Sequence, residues 1–164
     1  MKKSTNFGWL LEGFFIKRLM RQRQASPHTI AAYRDTFRLL LRFAQTRLKK
    51  APSTLTLEEL NVSFLGDFLD HLEKDRGNSA RSRNARLAAI HSFFHYAALH
   101  EPQHSALIQR VLAIPIKRYV RNQIDFLNRP EVDALLEAPD TSTWLGRRDR
   151  TLMLVALQSG LRVS

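Results

Sequence analysis

The sequence contains no cysteine. Without thiols there is no disulfide framework and no thiolate-held metal centre. It also lacks a long apolar run. The basic, apolar start from Met1 to Met20 is interrupted by Glu12 and carries Lys17 and Arg18. It offers no small-residue cleavage site, so neither a signal peptide nor a membrane span is expected. Six histidines are present, but no His-Glu-x-x-His. His91 and His95 stand four apart without a third ligand pattern nearby. They are expected at the surface or near phosphate, with no metal site. Glycine and proline number six each and fall mostly between periodic segments. No internal repeat or low-complexity stretch is found.

Acidic residues are scarce in two blocks and concentrated in a third. Residues 1–50 carry twelve Lys/Arg against two Asp/Glu, a net +10. Residues 51–75 carry one against six, a net −5, and residues 76–121 carry eight against one, a net +7. The remainder, 122–164, is near neutral at −1, and the whole chain is +11. Such segregation suits one face that meets phosphate and another turned away from it. The competing reading is a solvated basic surface.

The apolar periodicity is helical throughout. A first segment, about Phe7 to Gln24, repeats Leu10, Phe14 and Leu19. A second starts at Ser26 as N-cap with Pro27 at the first helical position. Its stripe is Ile30, Tyr33, Phe37, Leu40 and Ala44, and Arg34, Arg38 and Arg42 make a cationic ridge on another face. A third, about Leu57 to Lys74, turns Leu60, Phe64, Phe68 and Leu72 inward. Its outer face is acidic: Glu58, Glu59, Asp67, Asp70 and Glu73. Phosphate repels such a face, so it should point away from nucleic acid.

Ser79 can cap a fourth helix with Leu87, Ile90, Phe94 and Ala97 or Ala98 inward. Its first turns carry Arg81, Arg83, Asn84 and Arg86, where the helix dipole disfavours cations but attracts anions. An external anion explains those arginines better than helix stability does. A short helix, about Ser105 to Leu112, precedes an extended basic linker from Ile114 to Arg121 that includes Lys117 and Arg118. Beyond Phe126, Asn128 and Glu131 have capping-box spacing for a helix ending near Ala138. A last helix, about Gly146 to Ser159, is stopped by Gly160. Phe37, Phe64, Phe68, Phe93 and Phe94 sit at core spacing, which weighs against a base-stacking platform for single strands. No RNA-module signature occurs.

Several segments, taken in order, resemble the tyrosine recombinase (phage integrase) family. Ser26-Pro27-His28-Thr29-Ile30-Ala31-Ala32-Tyr33-Arg34 is similar to the family's S-x-x-T-x-x-x-Y opening of the second core-binding helix. The run from Arg83 to Ala97 resembles its fourth helix, where a basic residue more often stands at the His91 position. Phe126-Leu127-Asn128-Arg129-Pro130-Glu131-Val132 resembles the L-T-x-x-E-V start of the catalytic domain, with Asn128 in place of Thr. Arg148-Asp149-Arg150 and Gln158-Ser159-Gly160-Leu161-Arg162-Val163-Ser164 resemble R-D and T-G-L-R-x-S-E.

The resemblance implies an all-α chain. A SAM-like core-binding bundle would span 7–113 and a basic linker 114–125. The first helices of a catalytic domain would span 126–164, cut short there. It implies double-stranded DNA as partner, with Thr29, Arg34, Arg38, Arg42, Arg81, Arg83, Asn84, Arg86, His91, Lys117 and Arg118 as the DNA-facing set. It implies phosphotyrosine strand exchange without cofactor or metal, on a homo-tetramer, in a cytoplasmic, nucleoid-associated setting and with no membrane partner. Covalent chemistry of this kind retains the energy of the broken bond, and arginine forks hold the charged transition state. Arg162 matches the first of the family's two catalytic arginines. No His-x-x-Arg occurs, and Tyr33, Tyr96 and Tyr119 all lie upstream of Arg162. These 164 residues are therefore expected to bind DNA and to be catalytically inactive alone. The alternatives are a stand-alone helical DNA-binding regulator, or competitor, and a protein-interaction module using the acidic third helix.

Overall fold

A computed structural model describes residues 7–120 and 126–160. The α-helices described in the first unit share one apolar core, and the chain divides into two compact units after Val120.

The first unit opens with α1 (Phe7–Gly13), which continues as a π-helical stretch, Phe14–Gln22. The buried positions Phe7, Leu10, Phe14 and Leu19 are spaced three, four and five apart. The last interval suits the i→i+5 bonding of a π-helix, which keeps Leu19 on the inner face where an α-helix would rotate it away. The backbone bond from Arg23 N–H to Arg18 O, 2.9 Å, continues that pattern. Gly13 marks the change of pitch. A Cβ there would stand 2.5 Å from the Tyr96 hydroxyl, so glycine lets this segment approach its neighbour.

Helix α2 (Pro27–Leu48) begins where Ser26 accepts the Thr29 N–H at 3.2 Å. Phe37, Leu40 and Ala44 are buried, and Ile30 and Tyr33 pack partly against the same core. Helix α3 (Val62–Lys74) starts five residues later than its periodicity suggests. The Asn61 side chain accepts the Phe64 N–H at 3.0 Å and so caps the helix there. Upstream, Leu57 and Leu60 close a turn through a 3.1 Å backbone bond. The Glu59 carboxylate accepts the Thr56 N–H, so this acidic residue shapes the turn. Leu55, Leu57 and Leu60 are all buried within it.

Helix α4 (Ala80–His100) is central. It buries Leu87, Ala89, Ile90, Phe93, Phe94, Tyr96 and Ala97, more than one stripe, because it packs against α2, α3, the π-helical stretch and α5 (Ser105–Leu112). The Phe93 ring lies 5.2 to 5.7 Å from the rings of Phe7, Phe14, Phe37 and Phe94, mostly edge to face.

The second unit holds α6 (Arg129–Glu137) and α7 (Trp144–Ser159). Asn128 and Glu131 form the expected reciprocal capping box. Thr143 caps α7 two residues earlier than the periodicity indicates, accepting the Gly146 N–H at 3.0 Å. Gly146 is buried against the turn, where a Cβ would meet the Asp140 carbonyl oxygen. Gly160 ends α7 in the left-handed conformation. Leu152, Val155 and Leu157 are exposed.

Candidate nucleic-acid interface

Four-residue spacing on α2 places Arg34, Arg38 and Arg42 along the side of the helix away from Phe37, Leu40 and Ala44. All three are exposed. Arg38 alone has a local partner, Asp35 at 3.7 Å, and its side chain stays 62% exposed. Among the described residues, Arg34 and Arg42 form no ion pair. Arg42 borders a cleft of about 500 Å³ between α2 and α3, floored by Phe43, Phe68 and Leu72.

The start of α4 lies against the same stretch of α2. Arg86 Nη1 donates to the Thr36 hydroxyl at 3.1 Å and approaches the Ala32 carbonyl at 3.5 Å. Ala32 and Thr36 bracket Arg34 along the helix. The two basic elements therefore meet at one level of α2, with Arg34 on its solvent side and Arg86 on its α4 side. Arg81, in the first turn of α4, is exposed and forms no ion pair among the described residues. Ser79 caps this helix by accepting the Ser82 N–H. At the start of α2, Thr29 is half-buried, its hydroxyl 3.0 Å from that of Ser26.

Other residues expected to face DNA are engaged within the unit. Arg83 is only 8% exposed. Its Nε lies 3.6 Å from the Glu73 carboxylate and is buried without a hydrogen bond. Asn84 holds the Lys117 backbone at both ends: Oδ1 accepts the Lys117 N–H at 3.0 Å, and Nδ2 donates to the Lys117 carbonyl at 2.7 Å. Lys117 Nζ in turn donates to Glu73 at 2.6 Å. His91, expected at the surface or near phosphate, is half-buried against α5, with Nε2 3.1 Å from the Val111 carbonyl. Burial pushes its imidazole below the ordinary value, and His95 adds to this while the Val111 carbonyl opposes it. Arg118 is exposed. Arg162 lies outside the described residues.

In the acidic region Glu58, Asp67 and Asp70 are exposed and Glu59 and Glu73 half-buried, and most of these carboxylates are paired. Glu58 accepts from His104 at 2.8 Å, a contact that lowers its carboxyl below the usual range. Glu59 pairs with Lys50, Asp70 with Lys74, and Glu73 with Lys117. Only Asp67 in that group forms no ion pair among the described residues. Residues of opposite charge from α4, the linker and the loops reach these carboxylates, which periodicity alone does not reveal. The sequence pattern assigns Glu73 only to an acidic face and gives Thr36 no role, yet cationic side chains converge on both. For Thr36 the signal is a threonine inside a long helix, where it is a poor helix former.

Among the described residues, no helix is long and apolar enough to cross a membrane. Nor does any group of three His, Asp or Glu gather closely enough to hold a metal ion.

Among the described residues, the first unit is a five-helix bundle with a basic α2–α4 junction, and a second helical unit follows it. The family model for the phage integrase N-terminal SAM-like domain matches residues 13–101, more than half of the chain. The chain belongs to the phage integrase, or tyrosine recombinase, family. It is 62% identical over all 164 residues to y4rC of Sinorhizobium fredii, provisionally named an integrase/recombinase, and covers 49% of that protein. It is 52% identical over 155 residues to y4rD of the same organism, covering 94% of this chain and 55% of that one. Identity to the tyrosine recombinase XerD of Listeria monocytogenes is 31% over 153 residues, covering 92% of this chain and 48% of that one. The chain thus spans about half the length of these relatives. No solved structure matches it.

Proposed function

We propose that these 164 residues bind duplex DNA as the N-terminal part of a site-specific tyrosine recombinase, acting in DNA integration or recombination. The observation that carries this reading is the exposed Arg34-Arg38-Arg42 ridge of α2, on the helix that Arg86 ties to the basic start of α4. Arg34, Arg42 and Arg81 offer phosphate contacts with no ion pair to break among the described residues, Arg38 has only Asp35 beside it, and such contacts supply affinity and register rather than sequence information. Arg86, half-buried at the junction, positions the two elements. Arg162 is proposed as one of the arginines that hold the scissile phosphate. The names of the relatives support the reading, since several are called tyrosine recombinases.

The proposal extends to a homo-oligomer assembled on DNA by the whole protein. The 164 residues alone hold no His-x-x-Arg and no tyrosine beyond Arg162, so strand cleavage by this stretch alone is not expected. Gel-shift titration across salt tests the binding. Affinity for duplex should fall about tenfold or more between low and physiological salt, as counterion release requires. Absent or salt-independent duplex binding would refute the proposal. A nicked suicide substrate tests the chemistry, and a stable covalent adduct with these residues would overturn that part.

A further inference from the structure

Asn84 lies within α4, where asparagine is a poor helix former. Its side chain grips a residue 33 positions away, with both backbone polar groups of Lys117 satisfied by one amide. A third grip comes from Glu73, whose carboxylate takes the Lys117 ammonium at 2.6 Å. That carboxylate side chain is only 16% exposed, so water competes weakly for it. Immediately upstream, Ile114 N–H bonds to the Val111 carbonyl and its side chain packs on the core. Immediately downstream, Arg118, Tyr119 and Val120 are exposed. The chain is held as far as Lys117 and released after it.

We propose that Asn84 and Glu73 form a clasp that fixes where the linker leaves the first unit, so that Asn84 and Lys117 are positioning residues and not contacts to nucleic acid. For what the linker serves, the inference rests on the DNA-binding reading above; the clasp itself is testable without DNA.

The chemistry selects asparagine. Only a side-chain amide of this length offers an acceptor for the N–H and a donor for the carbonyl of one residue at once. Aspartate keeps the acceptor but sets a negative oxygen against the Lys117 carbonyl. Alanine removes both partners. The grip also excludes base reading in the same state. An Asn84 turned to a base edge abandons two hydrogen bonds to the linker, and a Lys117 turned to phosphate abandons Glu73.

The mechanical consequence concerns reach. Fastening residues 114–117 takes four residues from a tether expected to run from 114 to 125. At full extension that is roughly 13 Å less reach.

Amide hydrogen exchange measured by NMR on the 164-residue chain tests the clasp. In the wild type, the Lys117 amide should exchange at least roughly tenfold more slowly than the Tyr119 amide, the protection of a made hydrogen bond. Asn84→Ala should erase that difference, while Asn84→Asp keeps part of it. The Phe93 amide reports the core, and the Lys117 rate is read relative to it, so general destabilisation cannot imitate release. Fast Lys117 exchange in the wild type, or retained protection in Asn84→Ala, would overturn the clasp. A second measurement separates positioning from contact. Lys117→Ala should leave the salt dependence of duplex binding unchanged, whereas a lost phosphate contact would lower its slope by about one. Should duplex binding itself be absent, the DNA-binding reading fails and the exchange result still decides the clasp.

Discussion

The Arg86 guanidinium reaches from α4 to the Thr36 hydroxyl of α2 at 3.1 Å, and Thr36 donates its own proton to the Ala32 carbonyl 2.9 Å away. Thr36 is 2% exposed, so this hydroxyl is at once the acceptor for a cation and the donor that anchors it. Thr36→Val keeps the shape and removes both functions. The expected cost is about 1 to 2 kcal/mol, because Arg86 loses a shielded acceptor. Urea denaturation should show a lower midpoint at unchanged slope. An unchanged midpoint would mean the junction contributes nothing to stability.

Gly13 and Tyr96 make a second coupled pair. The missing Cβ of Gly13 leaves room for the Tyr96 hydroxyl, which an added methyl would meet at 2.5 Å. Gly13→Ala should destabilise by about 1 to 3 kcal/mol through overpacking. Tyr96→Phe removes the obstructing oxygen, so the double variant should recover much of that loss. A double-mutant cycle measures the coupling. Strict additivity would show that helix pitch, not contact with Tyr96, requires the glycine.

Phe93 touches four other phenyl rings contributed by α1, the π-helical stretch, α2 and α4 itself. Phe93→Ala should therefore cost about 3 to 5 kcal/mol, enough to unfold a marginal domain. Phe93→Leu should cost much less. Thermal unfolding followed by circular dichroism distinguishes them.

These residues also show what a sequence can and cannot disclose. The buried stripes of α2 and α4, the Ser26 and Ser79 caps and the Asn128–Glu131 capping box were legible, because each depends on neighbours within a turn or two. The π-helical pitch was present in the three-four-five spacing but invisible to a search for period 3.6. The apolar pattern runs ahead of α3 because Leu57 and Leu60 belong to the preceding buried turn, and Asn61 caps the helix only after them. Among site residues, the exposure of the Arg34, Arg38 and Arg42 side chains followed from spacing. The inward fates of Arg83, Asn84 and His91 depend on Glu73, Lys117 and Val111, partners 10 to 33 residues distant that no local rule connects.

His91 makes stability depend on pH. Burial holds its folded-state value below 6.5, the ordinary value expected when unfolded. Between those two values the unfolded chain binds a proton that the folded chain does not, so stability rises with pH across that window. Acidification through about 6.5 should therefore lower the melting temperature, with no further effect from this group below the folded-state value. His91→Gln retains a donor for the Val111 carbonyl and removes the titration. Its melting temperature should be flatter than that of the wild type between pH 7.5 and 5.5. Parallel profiles would assign the pH dependence to other groups.

The three exposed arginines of α2 allow the DNA-binding reading to be counted rather than merely detected. Each is solvated on the outer side of the helix, so replacing all three with Gln should leave the fold intact, with stability changed by about 0.5 kcal/mol or less per site. If each neutralises one phosphate, the slope of log affinity against log salt should fall by about 2 to 3 units in the triple variant. Single variants should each remove about one unit, equally for unrelated duplex sequences, since phosphate contacts carry no base information. A triple variant that stays folded and keeps the wild-type slope would move the interface away from α2. Loss confined to one duplex sequence would instead identify a base contact among the three.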